Sequence, residues 1–152
     1  MQLSAAGMEL LKRSEGFRSH TYLDAAGYPT IGYGHRLLHP ESFPNGVDEK
    51  QAGEILASDV RDAEEAVARL VKVQMTQGQY DALVDFCFNL GEGKLSASTL
   101  LKELNDGRYD SAAEQLLRWD HTGTKEIAYL KTRREAEFAL WQEAGLRQEA
   151  AA

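Results

Sequence analysis

The sequence predicts an α+β fold, mainly α-helical, in which a small N-terminal lobe with a β-hairpin (about 14–47) is joined by a spanning helix (about 48–73) to a helical C-terminal lobe (about 76–145). Apolar residues recur at helical spacing through most of the chain, whereas one early stretch loses this period and is rich in β-forming residues. With 152 residues and 43% hydrophobic content, the chain is long enough for one core and too short for two independent domains. We therefore expect a single domain over 1–145 and a frayed tail over 146–152.

Local signals define the first helix and the hairpin. Ser4 is placed to cap a helix, and Gly16 offers a left-handed stop directly after Glu15. Two β-rich runs then flank a Gly/Pro turn at 25–29, which is typical of a hairpin. Glu15 is therefore expected at the end of a helix and Asp24 at the end of a strand.

Capping signatures predict two of the later helices. Asp48 and Gln51 resemble a capping box before the spanning stretch, which is expected as one long helix or as a broken pair. Thr76 and Gln79 repeat the signature before a helix that Gly91 should end. Apolar spacing predicts three further helices, around 100–104, 112–117 and 127–141.

Composition and charge exclude several classes of protein. The formal net charge of −7 disfavours a nucleic-acid partner, because no broad basic surface would neutralise phosphates. No stretch approaches the roughly 18 apolar residues of a membrane helix, and the N-terminus lacks a basic start followed by an apolar run. We therefore expect neither a membrane anchor nor a signal peptide, and a monomer is the default expectation.

Cysteine and histidine usage favours no metal or redox chemistry. Cys87 is the single cysteine, and its apolar neighbours indicate a core thiol and not a nucleophile. The four histidines are scattered along the chain, so we expect no metal site and no cofactor.

Glu15 and Asp24 fit the two roles that cleavage of an acetal requires, a protonated acid and an ionised carboxylate across the sugar. Unsatisfied carbonyl groups at the helix end disfavour ionisation of Glu15, whereas the polar turn should keep Asp24 ionised. Thr30 lies across the turn, where it can share a water with Asp24. Gly32 and Gly34 should leave one strand face open to a ligand. Two carboxylates at this spacing are by themselves a weak signal, because most carboxylates are solvated surface groups.

The spacing continues into a longer pattern. Glu15, Asp24 and Thr30 are followed by Ile31-Gly32-Tyr33-Gly34-His35, and segments at 79–91, 98–101, 133–135 and 140–141 follow in order. Together these residues resemble the phage lysozymes (endolysins) of glycoside hydrolase family 24. The resemblance covers roughly residues 4–144.

The resemblance implies a lysozyme-like two-lobe fold that cleaves the β-1,4 bond between N-acetylmuramic acid and N-acetylglucosamine in bacterial peptidoglycan. It implies Glu15 as the general acid, with Asp24 and Thr30 holding the attacking water, and the cleft between the lobes as the place for the polymer. It also implies a structural ion pair between His35 and Asp59.

Four further residues are suggested by the resemblance as a lining of the saccharide groove: Phe88, Asn89, Thr99 and Gln115. Each has a structural alternative, which is a core ring for Phe88, a turn cap for Asn89, a helix-start hydroxyl for Thr99 and a solvated side chain for Gln115. The two tryptophans are expected in the core and not as sugar platforms.

Two features depart from the family pattern. Tyr129 is bulky where members commonly have Pro or Gly before the Leu of the last helix, which concerns the edge of the groove and not the acid. The acidic net charge is unusual for a lysozyme. It predicts weaker association with anionic envelopes at low salt, or a sequence that was not selected in a phage, such as an engineered one.

Two other functions stay open from the residues alone. A lytic transglycosylase also uses one Glu but forms an anhydro product without water, and a saccharide-binding module could keep the fold without activity. The presence of both Asp24 and Thr30 favours hydrolysis. A phage protein of this kind is expected in the cytoplasm until a separate protein opens the membrane and releases it to the cell wall.

Overall fold

A computed structural model of the chain describes the backbone of residues 1–151 and the side chains of residues 1–143. The elements are, in chain order, α1 (Ala5–Glu15), β1 (Arg18–Leu23), β2 (Pro29–Gly32), β3 (His35–Arg36), α2 (Glu49–Asp59), α3 (Arg61–Leu70), α4 (Gln77–Leu90), α5 (Glu92–Ser96), α6 (Thr99–Asn105), α7 (Tyr109–Leu116), β4 (His121–Thr122), β5 (Lys125–Glu126) and α8 (Ala128–Ala151). The α+β fold, mainly helical, is the one predicted. The expected frayed tail, 146–152, falls on residues whose side chains lie outside the described part.

The chain divides into two compact units, one formed by Glu9–Arg61 and the other by Met1–Met8 with Asp62–Ala152. The predicted spanning stretch is a pair of helices, α2 and α3, because the helical bonding is interrupted around Val60. This is the second of the two alternatives that the sequence left open. The boundary between the units falls at the start of α3.

The unit Glu9–Arg61 is built on a three-stranded antiparallel sheet in the order β1-β2-β3. The predicted hairpin is present, and Tyr22 and Leu23 pair with Thr30 and Pro29. The third strand was not predicted, because two residues are too few to show an alternating pattern. Helix α2 packs against β2 and β3, and Ala52 and Leu56 of this helix are buried.

Helix ends in both units follow the local signals. The capping box of Asp48 and Gln51 and that of Thr76 and Gln79 are both formed, with each side chain bonded to the other residue's backbone. Gly16 adopts φ 73° directly after α1. These predictions are confirmed.

In the other unit, α4 is the central helix and α8 packs along it. Residues 79–87 of α4 are buried, including Cys87, which is therefore the core thiol expected. Trp141 is 3% exposed, and Trp119 lies edge-on to Phe86 at 5.4 Å between ring centroids. The short elements α5, β4 and β5 were not predicted from the sequence.

A buried ionic cluster joins α4 to α8. Arg133 donates to both oxygens of Asp85 at 2.9 Å, and both side chains are almost fully buried. Burial, followed by the nearby Asp85 carboxylate, raises the pKa of Glu137 well above its ordinary value. The arginines of the 133–135 segment therefore have structural contacts inside this unit.

Candidate active site

Asp24 follows β1, and its carboxylate is held by the turn that comes next. Its Oδ1 accepts hydrogen bonds from the amides of Ala26 and Tyr28, each at 2.9 Å, and its Oδ2 accepts one from Arg36 Nε at 3.2 Å. The hydrogen bond from the Tyr28 amide, joined by those from Ala26 and Arg36, lowers the pKa of Asp24 against the opposing effect of desolvation. The carboxylate is therefore ionised at neutral pH.

Thr30 lies on β2 and is 3% exposed. Its hydroxyl donates a hydrogen bond of 2.8 Å to the carbonyl of Tyr28. A hydroxyl has one proton, so the lone pairs of Thr30 Oγ1 remain as acceptors. The same turn residue, Tyr28, therefore orients both Asp24 and Thr30 through its amide and its carbonyl.

Arg36 is a member of this site that sequence reasoning missed. It pairs with Thr30 across the β2–β3 ladder, and its guanidinium lies 4.3 Å from the centre of the Tyr28 ring. The strand that carries Arg36 is too short to be predicted, so no sequence signal placed this side chain beside Asp24.

Glu15 is the last residue of α1 and is half-buried. The backbone of Gly34 passes close to it, because a Cβ added at Gly34 would stand 3.1 Å from Glu15 Oε2. Gly34 has φ 74°, a backbone conformation that residues with a side chain rarely adopt. A glycine at this position therefore leaves room for the Glu15 carboxylate.

Gly32 does not have the expected role of opening the strand to a ligand. It is buried, and a Cβ added there would meet the Ala52 side chain of α2 at 3.1 Å. The missing side chain allows the sheet and α2 to approach each other. This corrects the sequence-based expectation for Gly32.

His35 lies between two carboxylates. Its Nδ1 is 2.7 Å from Asp59 Oδ2, as the resemblance implied, and its Nε2 is 2.7 Å from Glu41 Oε1, which no sequence signal indicated. Burial lowers the pKa of His35, but the hydrogen bonds and charges of Glu41 and Asp59 outweigh it and leave this pKa raised. The hydrogen bond from His35 in turn lowers the pKa of Glu41. The cluster links β3 to α2 and to the loop between them.

The four suggested groove residues all belong to the unit that contains α4. Phe88 and Asn89 are half-exposed in the last turn of α4, Thr99 is exposed at the start of α6, and Gln115 is half-exposed in α7. Asn89 Oδ1 accepts a hydrogen bond of 2.6 Å from Arg134 Nη2, so its amide NH₂ is left to donate.

The N-cap of α6 is Ser98, whose hydroxyl accepts a hydrogen bond from the amide of Leu101. Thr99 is the first residue of this helix, which agrees with the structural alternative of a helix-start hydroxyl. Tyr129, the residue that departs from the family pattern, accepts a hydrogen bond of 2.6 Å from Arg133 Nη1.

The described part of the chain was searched for membrane-spanning helices and for metal sites. Within it, no helix combines the length and apolarity that crossing a membrane requires. Among the same residues, no group of three or more His, Cys, Asp or Glu side chains is arranged to hold a metal ion.

Comparison with known proteins identifies the family. The Phage lysozyme family model matches residues 12–137. The endolysin of Salmonella phage P22 is 39% identical over 144 residues, which cover 93% of this chain and 98% of that protein. The endolysin of Bacillus phage B103 is 41% identical over 145 residues, and the chain spans about half of that protein's length (54%).

Solved structures give the same result. A mutant of P22 lysozyme superposes with a TM-score of 0.85 at 36% identity, covering 93% of this chain and 99% of that one. The muramidase domain of SpmX from Asticaccaulis excentricus superposes with a TM-score of 0.83 at 35% identity, covering 92% and 97%. The chain belongs to the phage lysozyme family of peptidoglycan-cleaving glycoside hydrolases.

Proposed function

We propose that this protein is a muramidase that hydrolyses the β-1,4 bond between N-acetylmuramic acid and N-acetylglucosamine in bacterial peptidoglycan. The observation that carries the proposal is the preorganised pair of Asp24 and Thr30. Both are held by the backbone of Tyr28, one as an ionised acceptor and the other as a hydroxyl with its proton already engaged.

Such a pair suits a water molecule that donates both of its hydrogens. One hydrogen bond goes to Asp24 Oδ2 and the other to Thr30 Oγ1, which leaves the lone pairs of the water directed away from the protein. The water oxygen attacks the anomeric carbon of the muramic acid while the bond to the glycosidic oxygen breaks. Asp24 accepts the proton that the water loses.

The leaving sugar needs a proton, and Glu15 is the proposed donor. Its carboxyl gives the proton to the glycosidic oxygen, so Glu15 ends the step ionised and Asp24 ends it protonated. Exchange with solvent restores both groups. The space that Gly34 leaves beside the Glu15 carboxylate supports this role.

The proposed groove residues supply contacts to the polymer. The half-exposed Phe88 ring offers an apolar face, and the amide of Asn89 offers a donor because Arg134 occupies its oxygen. A donor at this place suits a carbonyl or hydroxyl oxygen of the saccharide. Thr99 and Gln115 are proposed to add polar contacts along the same groove.

The product distinguishes hydrolysis from its alternatives. Purified peptidoglycan is digested in water enriched in ¹⁸O, and the fragments are analysed by mass spectrometry. Hydrolysis predicts reducing N-acetylmuramic acid ends that carry ¹⁸O, a lytic transglycosylase would give anhydro ends without the label, and a binding module would give no fragments. Glu15→Gln should retain the fold and lose on the order of 10³-fold in turnover.

The proposed place of action is the bacterial cell wall, reached from the cytoplasm after another protein opens the membrane. We expect the protein to act as a monomer without a nucleic-acid partner. Added protein should clear chloroform-treated Gram-negative cells, and light scattering should give the mass of one chain. No clearing of chloroform-treated cells would contradict the cell wall as the place of action.

A further inference from the structure

The Asp24 carboxylate has a third partner beyond the turn that holds it. Arg36 donates from Nε to Oδ2 at 3.2 Å and lies over the Tyr28 ring at 4.3 Å. Tyr28 also provides the amide that binds Asp24 and the carbonyl that binds Thr30. These contacts therefore connect four residues to one another: Asp24, Tyr28, Thr30 and Arg36.

We propose that Arg36 is a positioning residue for the attacking water, because it fixes the Asp24 carboxylate so that a single acceptor position remains at Oδ2. This inference rests on the proposed function. In this proposal Arg36 acts through Asp24 and does not contact the reacting atoms.

Counting acceptor positions supports the proposal. A carboxylate has about four lone-pair positions, two on each oxygen. The amides of Ala26 and Tyr28 occupy those of Oδ1, and Arg36 Nε occupies one of those of Oδ2. One position on Oδ2 is left for a water, so the geometry of the water is defined by the protein before substrate binds.

The ladder places Arg36 beside the other proposed water ligand. Thr30 and Arg36 are backbone partners in the β2–β3 pairing, so the same hydrogen-bonded strands set the positions of both. The guanidinium lies over the Tyr28 ring, and this contact restricts the movement of the group that presents Nε to Asp24. His35, the neighbouring residue, faces Asp59 and Glu41 instead.

Exposure argues that this ion pair serves positioning and not stability. The Arg36 side chain is 58% exposed, and exposed pairs contribute little to folding free energy. Removal of Arg36 should therefore leave the fold intact. Misplacement of a reacting group can nevertheless cost up to about 100-fold in rate.

The test compares Arg36→Ala and Tyr28→Ala with a matched control, Arg18→Ala. Arg18 also stacks on a tyrosine of this sheet at 4.3 Å, over Tyr22, so its removal costs the same charge and the same type of contact. We measure kcat, KM and their pH dependence on a soluble peptidoglycan fragment, and the Asp24 side-chain titration by ¹³C NMR.

For Arg36→Ala we expect a loss of about tenfold or more in kcat with little change in KM. Because Arg36 helps to lower the pKa of Asp24, the acid limb of the activity profile and the NMR titration should both move to higher pH. Tyr28→Ala should show the same changes in weaker form. Combining it with Arg36→Ala should add little, because both act through one contact. Arg18→Ala should behave as the parent.

Four results would overturn the proposal. Arg36→Ala could keep the parental kcat and the parental acid limb of the pH profile. It could raise KM alone, which would make Arg36 a substrate ligand. Arg18→Ala could lose as much kcat as Arg36→Ala. The NMR titration of the free protein needs no turnover, so an unmoved Asp24 titration also overturns it. Failure of the proposed function is distinguishable, because then the parent releases no labelled product.

Discussion

At the residue scale, Gly34 and Glu15 approach each other so closely that a methyl group on Gly34 would have to shift the Glu15 carboxylate by a few tenths of an ångström. Gly34→Ala should therefore lower kcat/KM about tenfold or more, since a shifted acid protonates the leaving oxygen poorly. The left-handed backbone should also cost about 1–2 kcal/mol in the free energy of unfolding. Steady-state kinetics and urea denaturation measure the two effects separately.

Gly107→Ala is the matched control for this substitution. Gly107 has φ 80°, and a Cβ added there would meet nothing within 4 Å. This variant should show a similar loss of stability with parental activity. If both variants have the same kcat/KM, the contact with Glu15 has no catalytic consequence.

The stereochemistry of the product tests the roles of Asp24 and Thr30. A water held between them attacks from the face opposite the leaving group, so the first product should be the α-anomer. Proton NMR of the initial products from a soluble peptidoglycan fragment gives the anomer directly. Thr30→Glu places a carboxylate where the water is expected and should favour a covalent adduct, detectable by mass spectrometry. Initial release of the β-anomer would make Asp24 a nucleophile and remove the role of Thr30.

At the scale of the elements, His35 fastens β3 to α2 through Asp59 and to the following loop through Glu41. The raised pKa of His35 means that its stabilisation is complete below its ordinary value of 6.5 and is lost as pH rises through the folded-state value. The lowered pKa of Glu41 means that its share is present above its ordinary value of 4.5 and is lost on acidification. The link should thus be strongest between these two values.

His35→Asn should therefore reduce the free energy of unfolding more at about pH 6 than at about pH 9. Urea denaturation of parent and variant at the two pH values measures the difference. Glu41→Gln removes one of the two partners and should show a smaller loss with the same trend. Equal losses for His35→Asn at both pH values would show that the charge of the histidine does not stabilise this link.

At the scale of the whole molecule, the net charge of −7 opposes association with an anionic cell wall. Salt shortens the range of this repulsion from about 30 Å at 0.01 M to about 10 Å at 0.1 M. The rate of clearing of wall suspensions should therefore rise over this range, whereas kcat on a small neutral saccharide should change little. A clearing rate that falls steadily with salt would indicate attraction through a local basic surface.

What the sequence by itself determined lies mainly in contacts between close neighbours. The two capping boxes and the stop at Gly16 involve residues within one turn, so local preference decides them. The hairpin that carries Asp24 and Thr30 is equally local. The sequence therefore offered Glu15 and Asp24 as candidates, and the resemblance to the phage lysozymes supplied their proposed roles and the family.

Tertiary structure decided the contacts that join distant parts of the chain. Arg36 meets Asp24, Glu41 meets His35, and Arg133 meets Asp85 across a separation of 48 residues, and none of these contacts leaves a periodic signal in the sequence. Short elements such as β3 exist because a neighbouring strand supplies their hydrogen bonds, since two residues have too little intrinsic preference to form a strand. The Gly32 contact with Ala52 likewise depends on the packing of α2 against the sheet, which local preference does not specify.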